Sequence, residues 1–290
     1  MFPLLALTLP NIQIGHLQPP EDAYKYLSSD AVVADGVTRE PLPIRDRRKL
    51  TFEQATKGYP NPSGARLAAD LFCETFVRRI SRQPASKEKI KTAFRAGNEA
   101  IHKLNLERVP RPDYMVNDYF SCVAAGWSVS NSKLSWGVIG DCGLIIYSRT
   151  GQRRFETRDQ VLPVTRHLNR IGMDLALPKN RKFFRQILRN NPDYFFNGRH
   201  VSYGALTGER TAEHYLECGE FDLSPGDLIV CFSDGFWQTV RHAEFFQRVY
   251  RDSASEAEQS FIPFALGLAR RDQAKYGREG TLVAFKFTKE

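Results

Sequence analysis

Short apolar runs that stop on an aspartate constrain this chain more than any other feature. Leu228-Ile229-Val230-Cys231-Phe232-Ser233-Asp234-Gly235, preceded by Pro225-Gly226-Asp227, reads as a buried strand that delivers a carboxylate at its end. Ala31-Val32-Val33-Ala34-Asp35-Gly36 and Trp136-Gly137-Val138-Ile139-Gly140-Asp141 repeat the pattern. If those strand ends meet, the carboxylates share one site and repel unless a proton or a hard cation such as Mg²⁺ or Mn²⁺ lies between them. Asp-Gly is also a favoured hairpin dipeptide, and the residues on the C-terminal side of each aspartate separate the two readings. After Asp141, Leu144-Ile145-Ile146-Tyr147 is a second apolar run, as a hairpin requires. After Asp35, Val37 to Pro43 is too proline-rich for a return strand, and after Asp234 the chain turns helical through Phe245, Phe246 and Val249.

With 290 residues, 42% hydrophobic and 26% charged, the chain has globular composition and enough length to bury a sizeable core. Its first ten residues, Met1 to Pro10, are apolar but lack a basic flank and are broken by prolines. They read as a strand, neither a signal peptide nor a membrane span. A net charge of +8, with clusters at Arg45 to Lys49 and Arg181 to Arg189, attracts acidic partners. No nucleic-acid-binding signature accompanies it, so nucleic acid is not the expected partner. Cys73, Cys122, Cys142, Cys218 and Cys231 are odd in number, without Cys-x-x-Cys spacing, and most lie in apolar runs, which points to a reducing, cytoplasmic setting. The absence of a Walker loop, a Gly-x-Gly-x-x-Gly and a Gly-x-Ser-x-Gly elbow sets aside kinase, dinucleotide and serine-hydrolase chemistry. The histidines show no metal-ligand spacing.

Along the chain, Leu4 to Ile14 and Ala31 to Ala34 read as neighbouring strands joined by a polar turn through Pro19-Pro20-Glu21-Asp22. Pro41 to Pro62 has the length of an insertion or lid. Ser63 is placed to cap a helix whose apolar face is Ala65, Ala68, Ala69, Phe72, Phe76 and Ile80. A second helix begins near Ser86 and carries Ile90, Phe94, Gly97, Ile101 and Leu104. Tyr119 to Tyr147 reads as an antiparallel meander. Lys182 to Leu188 reads as a short helix whose cations Arg181, Lys182, Arg185 and Arg189 form a solvated face. Gln259 to Gln273 is expected to be a helix interrupted by Pro263, and Thr281 to Phe287 a closing strand. Strand runs with helices grouped between them predict an α+β protein with antiparallel sheets.

Taken in order, Glu21-Asp22-Ala23, Val33-Ala34-Asp35-Gly36, Pro62-Ser63-Gly64-Ala65, Gly140-Asp141-Cys142, Gly226-Asp227-Leu228 to Ser233-Asp234-Gly235, and Thr281-Leu282-Val283 resemble the PPM-type metal-dependent protein phosphatases, the protein phosphatase 2C family. The resemblance spans residues 1–290 as a single domain. It implies a four-layer α-β-β-α sandwich, two antiparallel sheets face to face and flanked by helices, with two Mn²⁺ or Mg²⁺ ions at one edge. By that likeness Asp35 would bridge both ions, Glu21 and the Gly36 carbonyl would serve one, Asp234 the other, and Asp22 would hold bound waters, with Asp141 a possible additional ligand. The substrate would be phosphoserine or phosphothreonine on a protein.

The departures are specific. Leu17 stands where some members carry a phosphate-binding arginine, so that His16 or Arg39 would have to substitute. Val37 stands where some carry a histidine, and Gln238 replaces an aspartate. Arg278-Glu279 stands at the closing Asp-Asn, so either Glu279 slips one place to bind metal or that ligand is missing. The expected function is thus a metal-dependent serine/threonine phosphatase. The alternative is a catalytically weak pseudophosphatase that binds a phosphoprotein or partner, and a basic nucleic-acid adaptor ranks below both.

Overall fold

The strands of this chain alternate two apolar faces, and that alternation builds four layers. In β3 (Asp30–Gly36), Val32 and Ala34 point one way, into a cluster with helical phenylalanines, while Ala31 and Val33 point the other way, into a second sheet. A strand with both faces covered has no room for polar residues except at its ends. The computed structural model describes residues 1–13, 19–38, 58–81, 85–175 and 177–288.

In chain order the first elements are β1 (Phe2–Leu9), β2 (Ala23–Tyr26), β3, helices α1 (Gly64–Ile80) and α2 (Lys87–Arg108), and strands β4 (Cys122–Ser130), β5 (Lys133–Ile139), β6 (Gly143–Tyr147) and β7 (Arg153–Glu156). A segment with α3 (Leu162–Arg170), α4 (Pro178–Phe183) and the small hairpin β8 (Phe195–Phe196) and β9 (Arg199–His200) comes next. The chain closes with β10 (Glu217–Asp222), β11 (Leu228–Phe232), α5 (Trp237–Val240), α6 (Phe245–Val249), α7 (Ala254–Arg271), α8 (Gln273–Tyr276) and β12 (Gly280–Lys286). One antiparallel sheet has the order β1-β12-β11-β6-β7 and the other β10-β5-β4-β3-β2.

Ala31, Val33, Ala125, Trp127, Ile146, Ile229, Cys231, Val283 and Phe285 fill the space between the sheets. Outside the second sheet lie α1 and α2, whose Phe72, Phe76, Ile90 and Phe94 cover Val32, Ala34, Ala124 and Ile139. Both helices start on the expected serines: Ser63 Oγ accepts from the Arg66 N–H and Ser86 Oγ from the Lys89 N–H. Outside the first sheet, Phe245 of α6 and Phe261 of α7 cover Ile145, Val230, Phe232 and Leu282. The α-β-β-α sandwich expected from the sequence is the architecture observed.

Three local expectations change. β1 ends at Leu9 and pairs with β12 in the first sheet, whereas β3 lies in the other sheet between β2 and β4, so Leu4 and Ala31 are on different sheets. The meander breaks after β5: β4 and β5 form a hairpin, but β6 belongs to the facing sheet, so Gly140-Asp141-Cys142 carries the chain across the sandwich and is not a hairpin turn. Helix α7 runs through Pro263 without interruption, its buried Phe261 and Ala265 holding both halves on the sheet. Most of the expected insertion at 41–62 lies outside the described residues, as do His16, Leu17 and Arg39. Among the described residues no helix is long and apolar enough to cross a membrane.

Candidate functional site

The strand-end aspartates meet at one edge of the sandwich, around a cleft of about 300 Å³ lined by Glu21, Asp22, Asp35, Gly36, Asp141, Asp234, Arg278 and Glu279, with Val37, Thr38 and Arg185 at its side. Asp35 is the penultimate residue of β3, Asp234 lies just beyond β11, Asp141 sits on the crossing from β5 to β6, and Glu279 immediately precedes β12. Both sheets therefore contribute, and the cleft exists only because the sheets face each other. Every carboxylate singled out from the sequence is present in it.

Two glycines let the backbones come this close. A Cβ on Gly36 would lie 2.7 Å from the Glu21 carbonyl oxygen and 2.8 Å from the Ala65 carbonyl carbon. A Cβ on Gly235 would lie 1.9 Å from the Glu279 carbonyl oxygen. Any side chain at either place would push apart the segments that carry the acids. Trp237 fixes the fourth corner by donating from Nε1 to the Asp141 carbonyl at 2.6 Å.

Donors around the cleft are distributed unequally. Glu21, buried, accepts from three hydroxyls: Tyr59 Oη at 2.8 Å and Ser63 Oγ on one oxygen, Thr38 Oγ1 at 2.5 Å on the other. Ser63 thus caps α1 with one side of its hydroxyl and holds Glu21 with the other. Asp22, also buried, accepts from Ser233 Oγ at 2.6 Å. Glu279 accepts the backbone N–H of Glu21 at 2.9 Å and of Asp22 at 2.9 Å. Asp234 takes the guanidinium of Arg278 at 2.5 Å. For Asp35 and Asp141 the described residues supply no side-chain donor.

The charges respond accordingly. Burial raises the carboxyl pKa of Asp35 well above its ordinary value, and the neighbouring charges of Asp22, Asp234, Asp141 and Glu279 add to it. Asp22 is raised by burial and then by Glu279, against the lowering hydrogen bond from Ser233. Asp141 is pushed up to about 8 by burial, then by Asp234 and Asp159. Glu279 rises to about 7 through burial, although its two backbone N–H donors pull it down. Protons alone can hold such a cluster together only at the cost of its charge. A hard divalent cation relieves the same repulsion, and the donor set of carboxylate and carbonyl oxygens suits Mg²⁺ or Mn²⁺. Among the described residues no three His, Cys, Asp or Glu side chains already form a closed ligand group. Four of the acids are engaged by donors of the protein.

Arg185 is the feature the sequence placed wrongly. The expected solvated face carries three buried cations: Arg181, Arg185 and Arg189 are each at most 7% exposed, and of the cluster only Lys182 faces water. Arg189 makes a two-pronged pair with buried Asp118, at 2.8 and 3.0 Å, and Arg181 donates to the Leu175 carbonyl at 2.9 Å. Arg185 reaches across to the Thr38 carbonyl at the cleft wall. Arg181 lies on α4, Arg185 in the π-helical turn Phe184–Leu188 that continues it, and Arg189 on the extended backbone just beyond, while Phe183, Phe184 and Ile187 pack in a separate small cluster with Tyr194, Phe196 and Tyr203. Equal spacing of the arginines among apolar residues was the signal available in the sequence.

No family model matches this sequence, and no curated protein matches it by sequence. Solved structures do match by shape. The serine/threonine phosphatase PstP/Ppp of Mycobacterium tuberculosis superimposes with a TM-score of 0.63 at 16% identity, covering 98% of each chain. The catalytic domain of PstP in complex with two manganese ions gives 0.61 at 16% identity, over 98% of this chain and 97% of that one. The PPM Ser-Thr phosphatase MsPP from Mycobacterium smegmatis, in complex with cacodylate, gives 0.57 at 14% identity, over 98% and 99%. This chain has the fold of the PPM-type serine/threonine phosphatases.

Proposed function

We propose that the chain acts as one PPM-type domain that hydrolyses phosphoserine or phosphothreonine on proteins with the help of two Mn²⁺ or Mg²⁺ ions. The convergence of Glu21, Asp22, Asp35, Asp141, Asp234 and Glu279 on one cleft at the sandwich edge carries this reading. The two-manganese complex of PstP supports the ion count. When bound, such ions supply Lewis-acid charge and a water acidic enough for in-line attack on phosphorus.

The residues divide the remaining work. Asp35, central among the other acids, is the carboxylate both ions would share, with Glu21 and the Gly36 carbonyl on one side and Asp234 on the other. Three hydroxyl donors fix the Glu21 carboxylate, so its direction is set before any ion arrives. Asp22, held by Ser233, orients waters. Glu279 closes the wall by gripping the backbone of Glu21 and Asp22, and as a lining residue of the cleft it would offer an oxygen to an ion. Asp141 would complete the set beside Asp234. Arg185 brings a guanidinium to the cleft wall, where it can receive the phosphoryl group of a substrate. Val37 contributes only an apolar side chain, so the leaving oxygen takes its proton from water or from an acid on another segment. Unpaired cysteines, four of them buried, fit a cytoplasmic setting.

The test is hydrolysis of phosphoserine and phosphothreonine peptides with added Mn²⁺, then with excess chelator, with a phosphotyrosine peptide as comparison. Turnover that needs the ion and favours the first two substrates supports the reading. Turnover indifferent to chelator ends it.

A further inference from the structure

Asp234 has a full positive charge already in contact, which no described residue supplies to Asp35 or Asp141. Arg278 Nη1 lies 2.5 Å from Asp234 Oδ2, the spacing of a charge-assisted hydrogen bond. The two side chains differ in exposure: Arg278 is 58% exposed and Asp234 22%. The guanidinium can therefore leave for solvent with little desolvation cost, while the carboxylate stays in the wall. Arginine cannot solve the conflict by losing its proton. Its backbone is pinned from the next residue, because both Glu279 oxygens are tied to the Glu21 and Asp22 N–H groups. Only the side chain is free to swing. No described cation contacts Asp35 or Asp141 in this way.

Resting on the metal-dependent reading above, we propose that Arg278 is a built-in competitor for the Asp234 side of the centre. One divalent ion enters at the Glu21–Asp35 side without displacing Arg278, and a second must displace the guanidinium from Asp234. The centre therefore fills in two unequal steps, and the full two-ion state forms only where free divalent ion is abundant. A residue that cannot ligate a cation thereby sets the ion concentration at which the enzyme switches on.

Ion counting tests this without reference to turnover. Mn²⁺ is titrated into the chelator-treated full chain, with bound ion counted by equilibrium dialysis and free Mn²⁺ read from its six-line magnetic resonance spectrum. Wild type is expected to show two classes of site. Arg278→Gln should tighten the weaker class by about five-fold or more, the size of one partly exposed ion pair, and leave the stronger class nearly unmoved. Asp234→Asn should remove the weaker class whether or not Arg278 is present. Arg278→Lys, which keeps the charge, should stay near wild type and shows that any change in the Gln variant is not a folding defect. Two equal sites in wild type, or a weaker class that does not respond to Arg278→Gln, overturns the competitor role while leaving the metal reading intact. No bound Mn²⁺ in any of the proteins overturns both.

Discussion

Ser233 Oγ donates to Asp22 Oδ2 at 2.6 Å and accepts the Thr281 N–H at 2.9 Å, so one buried hydroxyl ties the ends of β11 and β12 to the segment that opens the opposite sheet. Ser233→Ala removes the donor from a carboxylate that burial and Glu279 already disfavour as an anion. The expected cost is about 1–3 kcal/mol of stability, read from chemical denaturation in chelator. Mn²⁺ in excess should recover part of it, because an ion at the cleft compensates the same charge.

Asp35→Asn and Asp234→Asn should both abolish Mn²⁺-dependent turnover, yet differ in their effect on the metal-free fold. Asp35 has no described cation against it and sits amid four other acids, so its neutral replacement should raise the melting temperature in chelator. Asp234 is paired with Arg278, and its replacement gives up that attraction and should leave the melting temperature level or lower. Equal stabilisation by both changes would mean that Arg278 does not compensate Asp234.

The pH dependence of the metal-free protein comes from carboxyls that are harder to ionise when folded. Asp141 moves from an ordinary 3.8 to about 8, so the unfolded chain releases this proton at lower pH than the folded one. Its contribution to stability is fully present below about pH 4 and is lost as pH rises through 8. In chelator, lowering pH from 8 to 5 should therefore raise the melting temperature, and Asp141→Asn should flatten that slope. Saturating Mn²⁺ at pH 8 should flatten it too.

Glu279→Gln keeps an oxygen that can accept from the Glu21 and Asp22 N–H groups but removes the charge. The Mn²⁺ concentration for half-maximal activity should rise several-fold while the melting temperature in chelator changes little. Glu279→Ala, which also strands two buried N–H donors, should lower the melting temperature as well. If neither change moves the Mn²⁺ requirement, Glu279 acts only on the backbone.

Arg189→Gln leaves Asp118 buried without its two-pronged partner and should destabilise the chain by about 3–5 kcal/mol. Lys182→Gln, exposed on α4, should cost under about 0.5 kcal/mol. Replacing all four cations of this segment at once would therefore report on folding, whereas Arg185→Gln alone, read as KM against kcat on a phosphopeptide, reports on the cleft.

The sequence by itself determined what depends on local pattern. Short continuous apolar runs marked the strands, Ser63 and Ser86 marked where the long helices begin, and the aspartates closing those runs marked acids of the cleft. These are short-range consequences of backbone geometry and capping. What the tertiary structure decided is which ends face each other. Asp141 resembles a hairpin residue until β6 is seen to join the other sheet, a choice made by the packing of Ile146 and Val138 between the layers. Arg278 looked only like a missing ligand until it lay against Asp234, and Arg185 looked solvated until its segment folded onto the cleft. Charge pairing depends on neighbours distant in sequence, and spacing along a single chain does not name the partner.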